Sequence, residues 1–215
     1  MITIKDENEL LELSYRLRDR MSEYRFKHTL GVEKAIRKLA KLFLPEQAAT
    51  LRLAALLHDI TKEYSDEMHF EIMREGGVDV EYYKTQSNKI YHSVTAPIII
   101  KKEFPEYADP ILLRAIEMHT TGCADMTMAD KLLYLADYIE QFRKHDECVR
   151  LREYFWGGIE WEEDKEMHLD RCLLISFDYT IKELVDNNSI ISERTVEARN
   201  ALILRIREGE KNGRD

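Results

Sequence analysis

Six side chains in this sequence are candidates for holding metal ions: His28, His58, Asp59, His92, His119 and Asp137. The adjacent pair His58-Asp59 closes the apolar run Ala54-Ala55-Leu56-Leu57. Neighbours on a helix point about 100° apart, so this pair addresses two adjacent positions rather than one. A carboxylate has two oxygens and can bridge two ions, whereas a neutral imidazole nitrogen binds one. Alone, a His-Asp pair is weak evidence, and any single histidine reads as an ordinary hydrogen-bonded core or surface residue. Four of the seven histidines, however, stand at ends or inner faces of apolar helices. Asp137 sits in Leu132-Leu133-Tyr134-Leu135-Ala136-Asp137-Tyr138-Ile139, where an unpaired ionised carboxylate is costly to bury and wants a cation. Taken together, these residues point to metal chemistry.

The elements that must position them are helical. Leu10, Leu11, Leu13, Leu17 and Met21 recur at helical spacing. A second helix is expected over about 23–43, with Val32, Ile36, Leu39, Ala40 and Phe43 on one face. Pro45 ends it and opens the next, about 46–60. Ser65 is an N-cap for a short helix that stops at Gly76-Gly77, and short turns and loop lead from there to His92. The run Ala96-Pro97-Ile98-Ile99-Ile100 is read as a Pro-started helix rather than a strand, because a charged tail follows it. Asp109-Pro110 starts a helix ending near Thr120-Thr121-Gly122, and Thr127 with Asp130 forms a capping box for one from Met128 to about Arg143. A shorter helix to Phe155, a break at Gly157-Gly158, a long helix over 161–185 and a last one over about 193–207 complete the chain. The expectation is an all-α single domain, with a core over about 20–145 and a C-terminal helical extension over about 146–210.

Composition agrees. The 215 residues are 44% hydrophobic and 34% charged, and only 8 Gly and 4 Pro favour helix over a strand-and-turn architecture. A formal net charge of −9 disfavours a nucleic acid polymer as partner. Small phosphorylated ligands remain open if the site supplies its own cations. Cys123, Cys148 and Cys172 form no C-x-x-C pair, and the first residues lack the order of a signal peptide. No stretch is apolar for long enough to span a membrane. A cytoplasmic protein is the expectation, with a homodimer left open.

The order His28, His58-Asp59, His92, His119, Asp137 resembles the HD-domain superfamily of metal-dependent phosphohydrolases, and more narrowly the YqeK-type symmetrical diadenosine-tetraphosphate hydrolases. The matching segments are Arg25-Phe26-Lys27-His28-Thr29-Leu30-Gly31-Val32, Leu56-Leu57-His58-Asp59-Ile60-Thr61-Lys62, and His92 with its helix. His119-Thr120-Thr121-Gly122, Met126-Thr127, Ala136-Asp137-Tyr138-Ile139-Glu140 and Arg143 follow. The resemblance implies one ion on His28, His58, Asp59 and Asp137, and a second on Asp59, His92 and His119, with Asp59 bridging. It implies iron, although imidazole and carboxylate also accept manganese or other divalent ions. A metal-bridging hydroxide would then attack phosphorus, giving two ADP from diadenosine tetraphosphate. Asp59 and Lys62 are thereby implied to be catalytic, and Arg25, Thr29, Lys62, Thr120 and Arg143 to meet the dinucleoside polyphosphate. Gln141 and Phe142 stand where the family usually has Pro-Asn, and Cys123 where it often has a basic residue.

Other features take plainer readings. His69, His145 and His168 lie among charged residues and are expected to face solvent, while Trp156 and Trp161 are expected to anchor packing. Metal ligands specify phosphate chemistry and not the leaving group. A nucleotidase, a cyclic-nucleotide phosphodiesterase or a silent nucleotide-binding regulator is therefore the alternative.

Overall fold

A computed structural model describes residues 7–212; the reading of the first six residues lies outside them. Helix α1 (Glu7–Arg18) buries Leu10, Leu13 and Leu17. Ser22 caps α2 (Glu23–Phe43) by accepting from the Arg25 amide, and a 3-10 turn at Pro45–Gln47 leads into α3 (Ala48–Leu57). Ser65 caps α4 (Asp66–Glu75), which stops at Gly76 as expected. After α5 (Val80–Lys84) come α6 (Tyr91–Glu103), α7 (Pro110–Met118) and α8 (Met128–Ile139). Asp109 caps α7 with Pro110 behind it, and the Thr127–Asp130 capping box opens α8. Helices α9 (Asp146–Gly158), α10 (Lys165–Asp186) and α11 (Glu193–Asn212) follow, and no strand occurs among the described residues. The all-α expectation holds.

Helix α2 packs on α3 and α8, α7 lies against α3, α6 and α8, and α10 joins α8, α9 and α11. Val32, Ile36 and Leu39 on the inner face of α2 meet the fully buried leucines of α3 and α8, which are covered almost all round, so the three helices share one apolar centre. Phe177 of α10 stacks on Tyr134 of α8 with ring centroids 4.5 Å apart. The turn after α7 passes close to this stack. Gly122 there has φ +63°, and a Cβ on it would stand 2.6 Å from the Phe177 ring. Glycine answers both constraints.

Several expected boundaries move for tertiary reasons. Helix α3 stops at Leu57, and residues 58–63 form successive tight turns, with Lys62 N bonded to Asp59 O at 3.0 Å. The glutamate at the end of those turns, Glu63, accepts from the Ser22 amide (2.7 Å) and hydroxyl (2.6 Å), which fixes the start of α2 against them. Helix α6 begins at Tyr91, so Pro97 lies inside it rather than starting it. The ring leaves the Ser93 carbonyl without its usual donor. Helix α8 ends at Ile139, not near Arg143, because Glu140 turns to extended backbone and Arg152 of α9 donates to the carbonyls of Ile139, Glu140 and Arg143. Gly157 and Gly158 lie in the last turn of α9 rather than breaking it, and α10 starts at Lys165 behind an Asp164 cap instead of at Trp161.

Candidate metal centre

The ends of α3 and α7 bring two histidines together by the same device. Each sits at the C-cap, where the last carbonyls of a helix lack donors from the next turn. His58 Nδ1 lies 2.7 Å from Ala55 O, and His119 Nδ1 lies 2.6 Å from Ile116 O. A carbonyl only accepts, so both Nδ1 atoms carry the proton and both Nε2 atoms present a lone pair. Their rings meet edge to face, with centroids 5.0 Å apart.

Those lone pairs converge on Asp59, which is 3% exposed. Its two oxygens face different partners. Oδ2 lies 3.3 Å from His58 Nε2 and 3.6 Å from His28 Nε2; Oδ1 lies 3.3 Å from His92 Nε2 and 3.9 Å from His119 Nε2. Asp137 of α8 approaches the first group, with Oδ1 2.9 Å from His28 Nε2 and 3.9 Å from His58 Nε2. His92 and His119 close the second group at 3.0 Å between their Nε2 atoms. One ligand atom each from His28, His58 and Asp137 lies within 4.8 Å of the others, and the same is true of His58, Asp59 and His119. All six expected side chains meet in one place.

The chemistry of this donor set fits a cation. The buried Nε2 of His58 makes no hydrogen bond, and a lone pair facing a carboxylate is unfavourable unless something positive lies between them. Burial and the neighbouring Lys62 push His92 well below the ordinary histidine range, and burial and His58 lower His119 to about 4. Burial would also lower His28, but the carboxylates of Asp137 and Glu140 outweigh it and raise that imidazole to about 9. Burial works against ionisation of both aspartates. The imidazoles of His58 and His92 and the charge of Lys62 nonetheless hold Asp59 well below its usual value, and Arg143, His28 and His58 do so for Asp137.

Protein cations stand at the edge of the cluster. Arg25 Nη1 is 2.5 Å from Asp59 Oδ2, and Arg143 Nη2 is 2.6 Å from Asp137 Oδ1. Lys62 Nζ lies 3.2 Å from each ring nitrogen of His92. Burial lowers the Lys62 ammonium against the pull of Asp59 and Asp137. Thr120 Oγ1 is 3.2 Å from the Nε2 of both His92 and His119. Thr29 is not brought here: it is fully buried and donates to the Met21 sulfur, which leaves it no surface to offer a substrate.

Sequence reasoning missed Glu140. It is 1% exposed, accepts from or shares a proton with His28 Nδ1 at 3.2 Å, and accepts from the Phe142 amide at 2.6 Å. A carboxylate behind a ligand histidine fixes the ring and raises its basicity. Gly31 makes room for it, since a Cβ there would stand 2.1 Å from Glu140 Oε2. Two further histidines correct their expectation. His69 is buried with Nδ1 2.9 Å from Thr95 Oγ1, and His168 is buried with Nε2 3.1 Å from Phe155 O. Only His145 of the three is exposed. Trp156 packs on the core, but Trp161 is 84% exposed and lies outside it.

A family model for the HD domain matches residues 25–141, the segment that supplies all six of these side chains. The chain belongs to the HD-domain family. As an HD-domain protein it is a metal-dependent phosphohydrolase. It is 28% identical over 186 residues to a protein of Halalkalibacterium halodurans named bis(5'-nucleosyl)-tetraphosphatase, symmetrical, covering 86% of this chain and 91% of the relative. A protein of the same name from Staphylococcus aureus is 32% identical over 136 residues, covering 62% of this chain and 68% of the relative. A crystal structure described as a predicted HD superfamily hydrolase involved in NAD metabolism, from Clostridium acetobutylicum, superposes with a TM-score of 0.77 at 33% identity, covering 90% of this chain and 96% of that one. Among the described residues no helix is long and apolar enough to cross a membrane.

Proposed function

We propose that this chain hydrolyses diadenosine tetraphosphate symmetrically: one water is consumed, the bridge between the second and third phosphorus is cut, and two ADP leave. The observation that carries it is the two-sided Asp59, one oxygen turned to His28 and His58 and the other to His92 and His119. The symmetric cut is supported by relatives of that name matching most of the chain. Two divalent ions are proposed, held by His28, His58, Asp59 and Asp137 on one side and by Asp59, His92 and His119 on the other. Iron is the first choice, and manganese suits the same donors. When bound, such ions acidify water and neutralise charge on phosphate oxygens.

The chain's own residues do the rest. Glu140 holds His28 in place, and the carbonyls of Ala55 and Ile116 hold His58 and His119. Arg25 and Arg143, which pair with Asp59 and Asp137, would be free to meet phosphate if those carboxylates held ions, and the Lys62 ammonium lies at the same edge beside His92. Lys62, beside Asp59, is placed to stabilise charge as it grows on the transferring oxygens, and the Thr120 hydroxyl is a donor at the same edge. The same reading treats the chain as one domain, supported by the main apolar cluster, which runs from Leu10 to Leu202 beside a small second one at Met73, Val80 and Tyr91. A reducing cytoplasm suits the free thiols of Cys123, Cys148 and Cys172.

Chromatography of products from diadenosine tetraphosphate and metal-loaded protein tests the reading. ADP as sole product is expected. Equal ATP and AMP, or no cleavage alongside turnover of a nucleoside monophosphate or cyclic nucleotide, would reject it.

A further inference from the structure

Beside the ligand cluster lies a pocket of about 360 Å³, between the start of α2 and the turn after α8. Its buried end is formed by His28 and Glu140, so it opens from the cluster itself. Tyr24, Lys27, Phe142 and Arg143 line it further out, with Lys144 and His145. The volume is in the range of small-ligand sites.

Its chemistry is that of an anion-bearing aromatic ligand. The chain carries a net charge of −9, yet this pocket holds three cations, Lys27, Arg143 and Lys144, against one acid. That acid, Glu140, is already committed to His28 and to the Phe142 amide. The Lys27 ammonium stands 4.6 Å over the Phe142 ring, so charge and π surface are presented together.

The pocket is also tied to the cluster by single side chains. One oxygen of Glu140 meets His28 Nδ1 at 3.2 Å and the other meets Phe142 N at 2.6 Å, which fixes the span between a ligand histidine and the aromatic wall. Arg143 lines the pocket while its Nη2 rests 2.6 Å from Asp137 Oδ1. A phosphate chain leaving the cluster would therefore pass Arg143 on the way in.

We infer that this pocket seats one terminal nucleoside of the substrate, its base stacked on Phe142 and its phosphates led past Arg143 to Asp59. The inference rests on the nucleotide chemistry proposed above and adds where the base goes and which residue reads it. Arg143 supplies charge without discrimination among bases; Phe142 supplies the contact that separates a nucleotide from bare phosphate.

Equilibrium binding of ADP and of inorganic pyrophosphate to manganese-supplemented protein isolates that contact, because the two probes share phosphates and differ in the nucleoside. Wild-type protein should prefer ADP. Base stacking on an aromatic ring is worth about 1–3 kcal/mol, so Phe142→Ala should weaken ADP roughly 5- to 150-fold. It should change pyrophosphate binding less than about twofold. Phe142→Tyr keeps the ring and should keep ADP binding. Three results would overturn the inference: no ADP preference in wild type, unchanged ADP binding in Phe142→Ala, or equal loss of both probes. Because binding is read without turnover, an inactive wild-type protein would reject the proposed reaction and leave this test intact.

Discussion

Asp59 and Asp170 are both buried aspartates, 3% and 1% exposed, and their surroundings differ in kind. Asp170 of α10 is met by fixed protein cations: Lys131 Nζ of α8 at 2.5 Å on one oxygen and Arg205 Nε of α11 at 2.6 Å on the other. It joins three helices and has its charge answered from within the chain. Asp59 instead faces four imidazole Nε2 atoms, two of which, on His58 and His119, are lone pairs because the opposite nitrogen donates to a carbonyl. Its protein cation, Arg25, comes from the rim. One buried carboxylate is thus built for cohesion, and the other has the surroundings that the proposed ions would need. The second arrangement leaves the lone pairs of His58 and His119 facing a carboxylate whenever those ions are missing.

Exchanging the two aspartates for alanine should split function from stability. Asp59→Ala should lose metal and at least about 10³-fold in rate, since the ions and the charge they neutralise go together. Its melting temperature without metal should fall less than that of Asp170→Ala, because the partner it leaves, Arg25, stands at the rim and can turn to solvent. Steady-state rates and thermal melts check this, and a collapsed fold would break the comparison. Asp170→Ala should do the reverse. It leaves Lys131 buried without its partner, at a cost of about 3–5 kcal/mol in urea unfolding, with metal content unchanged.

Smaller effects sharpen the contrast around Asp59. Lys62→Ala should keep metal and fold while slowing turnover by roughly 30- to 1,000-fold, the loss of one charge-assisted contact worth about 2–4 kcal/mol in the transition state. A change under twofold would return Lys62 to the role of a surface charge. Gly31→Ala tests the support behind His28. The new methyl would displace Glu140, and manganese affinity should fall roughly 10- to 100-fold. Unchanged affinity would show that Glu140 does not hold the ring in place.

What was legible in the sequence was mostly local. Ser65, Asp109 and the Thr127–Asp130 pair announce their helices because a cap needs only its own first turn. The six cluster residues were legible as a set because neutral and acidic ligands in apolar helices are costly unless they share a cation. What escaped depends on partners far along the chain. His69 is buried because Thr95 meets it, and His168 because the Phe155 carbonyl does, whereas their own neighbours are charged. The end of α8 is set by Glu140 turning to His28 and by Arg152 reaching back from α9. Gly31 becomes informative only once α2 and the end of α8 lie together. Thr29 misled because it adjoins His28 in sequence, while one step along a helix turns a side chain about 100° away.

Elemental analysis of untagged protein, purified after growth with added iron or manganese, tests the central claim most directly. If Asp59 serves two ions through its two oxygens, wild-type protein should carry close to two transition-metal ions per chain. A single ion per chain would contradict the two-sided role of Asp59, and none would contradict the metal centre altogether.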